Sequence, residues 1–151
     1  MTPADFLSEV VVPNVTALGE NVGDLRLAVN AILTLDALVG IVHADQYKQG
    51  LETADEDTCF RDRLAERHKE YGLIRDTASA LKHGELRRKK PRLIRRAEQV
   101  TSYSATWDDA VWDRSAWDTP AVVWIEANDP VNSRRADEVT RAVLGIVQGM
   151  V

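Results

Sequence analysis

The chain has 151 residues, of which 44% are hydrophobic and 28% charged, with a formal net charge of -5. That length suits one domain with a real apolar core, and the single cysteine, Cys59, rules out an internal disulfide or a thiolate metal cage. The opening MTPADFLSEVVVP carries Asp5 and Glu9 and lacks the basic start of a secretory signal. No apolar run looks close to the roughly 20 residues that span a bilayer. The expectation is a cytoplasmic protein without membrane contact.

Thr2 followed by Pro3 and acids predicts a helix start, with Pro13 ending or kinking a short first helix. In NVGDLRLAVNAILTLDALVGIVHA, the residues Leu25, Ala28, Val29, Ile32, Leu35, Val39 and Val42 recur at helical spacing behind Asp24, which predicts a second, well-defined helix. The pattern lapses between His43 and Asp57, where Gly50 and TADEDT read as a connection capped by Asp55 or Asp57. From Thr58 the series Phe60, Leu64, Tyr71, Ile74, Ala78, Leu81 predicts one long helix, or two stacked with a kink at Gly72. Gly84 is the expected left-handed cap, and Lys82 and His83 meet the negative end of the helix dipole.

After Pro91, VTSYSATW and PAVVWIEA read as two strands of a hairpin with a long connection, and RRADEVTRAVLGIVQGMV as a closing helix with Ala136, Val139, Val143, Ile146, Val147 and Met150 on one stripe. The fold class is therefore mainly α: a helical bundle over about 1–90, then a C-terminal two-stranded β-ribbon and closing helix over about 98–150, all within one domain. The connection repeats Trp107-Asp108, Trp112-Asp113 and Trp117-Asp118 at a period of five, which matches neither a helix stripe nor a strand face. Those rings suit plugs between ribbon and helices better than base-stacking platforms, because the adjoining aspartates repel phosphates.

Charge is unevenly spread. From Leu81 to Arg96 eight cations (Lys82, Arg87, Arg88, Lys89, Lys90, Arg92, Arg95, Arg96) face one acid, Glu85, a local +7 that leaves -12 on the rest. Opposed potentials of this kind favour an anionic partner, nucleic acid or acidic protein, or a homodimer pairing opposite faces. The bland reading is a solvated basic loop neutralised by the acidic remainder. Just before it, Asp76, Ser79, Lys82 and His83 predict a polar stripe opposite the core, a carboxylate, hydroxyl, ammonium and imidazole able to hold an anion or move protons unless they merely form a solvated face. His43, His83 and Asp76 form a sparse set that could meet in space, but the spacing carries no metal motif and none is assigned; nor is any cofactor.

The run LIRDTASALKH resembles the signature of a group of uncharacterised bacterial proteins: an arginine or similar residue, Asp, two residues, Asn, two residues, then Lys-His. Here Ser79 stands where Asn is usual. The preceding RLAVNAILTLDALVGIVH is similar to that group's preceding helix. The resemblance implies a helical protein with Asn30, His43, Asp76, Ser79, Lys82 and His83 on two helices that face each other. FRDRLAERH also looks distantly like HEPN-type ribonucleases and toxins, small helical dimers that pair an Arg with a His a few residues on. That likeness implies Arg61, or Arg63, with His68 as the acid-base and phosphate-stabilising pair of a metal-independent ribonuclease. The functional expectations are thus a non-catalytic binder of an anionic partner through residues 82–96, with a HEPN-like ribonuclease drawing on Arg61, His68, Asp76 and His83, or a structural or assembly subunit, as alternatives.

Overall fold

The computed structural model describes residues 1–52, 56–87, 91–104 and 120–151. Asp55, Arg88, Lys89, Lys90 and the three Trp-Asp pairs lie outside them. The fold is mainly helical with a small antiparallel sheet and a C-terminal helix.

Helix α1 (Pro3–Phe6) starts as its sequence predicts, with Thr2 and Asp5 closing a reciprocal capping box. Pro13 does not end it. The chain widens into a π-turn over Leu7–Val11, where Val12 N–H donates to the Leu7 carbonyl, and then continues as α2 (Val12–Glu20). The wider turn accommodates a proline that lacks an N–H and crowds the carbonyl four residues back, so the first helix is longer than expected.

Asp24 caps α3 (Leu25–Lys48) by accepting the Leu27 N–H at 3.1 Å, and the helix runs past the predicted end at His43. Helix α3 is the central element, touching α1, α2, α4, α5, α6 and β1. Its burial is wider than one stripe: Ala31 and Leu38 join Ala28, Ile32, Leu35, Val39 and Val42, while Leu25 stays exposed. Such all-round apolarity gives an 18-residue window a mean hydropathy of 1.9, so by length and composition alone α3 could cross a membrane. The expectation that no run comes close is corrected. In the fold 44% of that window is buried against the other helices.

Two helices follow, α4 (Asp57–Arg67) and α5 (Lys69–His83), and the break falls at His68, whose backbone is extended, rather than at Gly72. Gly72 remains helical and faces Ala65 of α4 across the elbow, where a Cβ would stand in ordinary contact at 3.7 Å. Glu56 precedes α4 without a side-chain cap, so Asp57 does not serve as the cap, and Cys59 is exposed in the first turn of α4.

Strands β1 (Val100–Tyr103) and β2 (Val122–Ile125) pair antiparallel, Val100 opposite Ile125 and Tyr103 opposite Val122. A two-residue β3 (Arg134–Arg135) adds a third strand beside Trp124 and Ile125, which the strand pattern does not reveal. Val123 and Ile125 alternate inward. Helix α6 (Ala136–Gln148) packs on α2, α3 and α5 through Ala136, Val139, Val143 and Val147, with Ile146 and Met150 partly buried beside the core.

Gly84 terminates α5 with φ 74 and ψ -56. The positive φ is as expected. The ψ, however, belongs to a tight γ-type turn rather than to a left-handed cap, because the chain must bend at once into an antiparallel bridge between Glu85 and Arg96. A Cβ at Gly84 would meet nothing within 4 Å, so only backbone conformation opposes a side chain there. Gly84→Ala is expected to cost about 1–2 kcal/mol in urea unfolding without changing the helical circular dichroism.

Candidate functional site

Two buried carboxylates organise the polar residues. Asp36, 3% exposed, lies midway along the apolar α3. One of its oxygens accepts from Arg61 of α4 and the other from Lys82 Nζ of α5 at 2.7 Å. Arg61 also donates through Nε to Asp57 at 2.8 Å and reaches the Tyr71 hydroxyl at 3.4 Å. Gly40 makes room for it, since a Cβ there would stand 2.6 Å from the guanidinium. Burial opposes the charge on Arg61, but Asp36, Tyr71 and Asp57 more than offset that and hold it above its ordinary value. Burial likewise pushes the Tyr71 phenol well up, Arg61 countering only part of the rise.

Asp76 is the second. It is 7% exposed, so the predicted open polar face of α5 does not exist at this position. Its Oδ2 accepts the Leu93 backbone N–H at 2.7 Å and its Oδ1 accepts from Arg92 at 2.5 Å. Both oxygens therefore hold the basic segment onto α5. Most of α5 is enclosed, from Tyr71 to Ala80, because α3, α4, α6 and the turn Ala97–Gln99 all pack on it.

The basic segment forms a braced loop. Leu86 N–H donates to the Arg95 carbonyl at 2.7 Å and Ala97 N–H to the Gly84 carbonyl at 2.9 Å. Gln99 Oε1 accepts from the backbone of Arg95 and Arg96, while its Nε2 donates to Glu126 O at 2.7 Å. Asn128 Nδ2 donates to the Arg92 carbonyl at 2.9 Å. The loop is thus tied to α5 on one side and to the end of β2 on the other.

Against this frame Ser79, His83, Arg87 and Arg92 line one cleft of about 360 Å³, together with Glu85 and Leu86. Arg87 pairs with Glu85 at 2.9 Å and Arg96 with Glu98 at 3.1 Å, both among exposed side chains where ion pairs are weak. Arg95 reaches the Leu86 carbonyl at 3.4 Å. Lys82 points away from this cleft toward Asp36.

The remaining expected residues do not join it. Helices α3 and α5 do pack together, yet Lys82 meets Asp36 rather than Asn30 or His43. Asn30 is half-buried on α3. His43 is buried with its ring 5.3 Å from Phe60 and 6.2 Å from Tyr47, and it does not line the loop cleft that His83 enters. Among the described residues no group of three His, Cys, Asp or Glu side chains is placed to hold a metal ion. Arg61 and His68 also separate. Arg61 turns inward to Asp36, whereas His68 lines another cleft, with Arg63 and Arg67.

Sequence reasoning missed Asp36, and the only signal for it was one acid inside LTLDALVG. It placed Asp62 beside Arg61 in the HEPN-like pattern, whereas Asp62 pairs with the buried Arg75 across the α4–α5 elbow at 2.5 Å. Comparison of the chain with protein-family models, curated proteins and solved structures finds no match in any of the three.

Asp36→Ala leaves two cations facing a void. A loss of about 3 kcal/mol is expected by urea unfolding, at the low end for a broken buried pair because Lys82 is nearly half exposed. Tyr71 gives a pH signature. Its folded pKa lies above the ordinary value of 10.0, so the stability it carries is whole below that pH and is lost as pH rises toward the folded value. Tyr71→Phe is expected to flatten the decline in unfolding free energy above about pH 10; an unchanged slope would place that decline elsewhere.

Proposed function

We propose that the chain is a non-catalytic binding protein that engages an anionic partner through the braced basic loop, with phosphates of a nucleic acid as the favoured ligand. The observation that carries this reading is the cleft shared by Ser79, His83, Arg87 and Arg92 at the foot of the segment 82–96. A hydroxyl, an imidazole and two guanidiniums offer donors suited to phosphate oxygens, and five of the eight cations in the segment are arginines, whose planar fork matches such an anion. Bracing by Asp76, Gln99 and Asn128 lowers the ordering cost of binding.

The burial pattern also narrows the set. Lys82 serves Asp36, and Arg92 serves Asp76 while still lining the cleft, so in this reading the contact group is drawn from the other cations of the segment, Arg87 at the cleft foremost. A ribonuclease reading at His68 would have to draw Arg61 away from Asp36, Asp57 and Tyr71, or Arg63 away from Glu52 beside His68 in the same cleft.

The test is fluorescence anisotropy with mixed-sequence RNA and DNA oligonucleotides across a salt series, with the RNA sized afterwards. Log affinity is expected to fall linearly with log salt, the RNA to stay intact, and the triple change Arg87→Gln, Arg88→Gln, Lys89→Gln to reduce the slope by about three. Binding indifferent to salt or to that triple change would sink the proposal. Capture of polyglutamate but of neither oligonucleotide would move the partner to an acidic protein, and cleaved RNA would bring Arg63 and His68 forward.

A further inference from the structure

A second cleft, of about 520 Å³, opens where α4 faces the end of α6 above the last turn of α3. Phe60, Leu64 and Arg67 lie on one face of α4 at helical spacing, and Ile146, Gly149 and Met150 do the same on α6 and its end. These two faces do not interlock. Phe60, Leu64, Ile146 and Met150 give the space an apolar lining, and its volume is in the range that holds a small organic ligand.

The polar groups at its rim are unequal. Arg63 pairs with Glu52 and has its guanidinium carbon 6.0 Å from the centre of the Phe60 ring, so its charge is met within the protein. Arg67 and His68 make no ion pair or side-chain hydrogen bond among the described residues, yet both line the same cleft. Placement in the last turn of α4 accounts for a cation at Arg67. It does not account for an apolar hollow beside that cation.

We infer that this cleft binds a small amphipathic monocarboxylate, its apolar body between Phe60, Leu64, Ile146 and Met150 and its carboxylate at Arg67 and His68. The match is one of charge and shape: one net cationic end, one apolar trough, and too little length along α4 for a docked helix of several turns. A neutral ligand of the same shape fills the trough but leaves Arg67 without an acceptor. The inference stands apart from the loop cleft, which is lined by Ser79 and His83 near the C-terminal end of α5 and shares no lining residue with this one.

Isothermal titration with 4-phenylbutyrate and 4-phenylbutanol separates the outcomes. For a ligand of roughly a dozen heavy atoms the acid is expected to saturate with a Kd of about 1 mM or tighter. The alcohol should bind about tenfold more weakly, and Arg67→Gln should weaken the acid about tenfold while leaving the alcohol alone. Met150→Glu, just past the end of α6, should abolish binding of the acid while the helical circular dichroism is kept, at some loss of thermal stability because the side chain packs beside the core. Oligonucleotide affinity of Arg67→Gln should equal that of the parent chain, which keeps this inference distinct from the loop. Equal affinity for acid and alcohol, an Arg67→Gln variant that binds like the parent, or no saturation up to roughly 10 mM would each overturn it.

Discussion

Asp36 is a carboxylate set into the most apolar helix of the chain, and three helices are joined at it. Arg61 comes from α4 and Lys82 from α5, so a single side chain of α3 sets the depth and rotation of both neighbours. Such a pair adds little net stability over well-packed apolar groups of the same size, but it tolerates no one-sided loss. Its structural value lies in direction: an apolar contact can slide along a helix, whereas two cations on two oxygens admit one register. Tyr71, fully buried beside Arg61, shows how much of the surrounding space is closed to water.

The basic segment depends on the same logic at smaller scale. A stretch carrying so many cations would repel itself on an open surface, yet here part of its charge turns inward. Lys82 and Arg92 are drawn to Asp36 and Asp76, and Asp76 also takes the Leu93 N–H. With those contacts made, the backbone of the loop is closed by Gln99 and Asn128. Among the described residues Arg87 and Arg96 remain exposed, on a backbone held by a frame. The acids that bind the loop's inner cations are therefore as much a part of any anion site as the outer cations themselves.

The geometry sends the adjacent Lys82 and His83 of α5 to two different places. Lys82 crosses to α3, and His83 turns with Ser79 into the loop cleft. Adjacent residues on a helix differ by about 100° in direction, which is enough to send neighbours in the sequence to different sides of the same element. Asn30 and His43 fail to join them for a related reason: facing helices bring together the residues at one crossing, and Asp36 occupies that place on α3.

By itself the sequence determined the helical class, the cap at Asp24, the inward residues Ile32, Leu35, Val39, Val42, Tyr71 and Ile74, the strand pair before the closing helix, and the need for glycine at position 84. These follow from periodicity and backbone preference, which act within a few residues and so are written locally. Only the tertiary structure decided that Pro13 is absorbed by a π-turn, that the α4–α5 break falls at His68, that Asp76 is buried, and that Arg61 belongs with Asp36. Each of those turns on which groups meet across tens of residues of chain. A charged side chain on a helix reads the same in sequence whether it faces water or a counterion, and the difference is made by the element that packs over it.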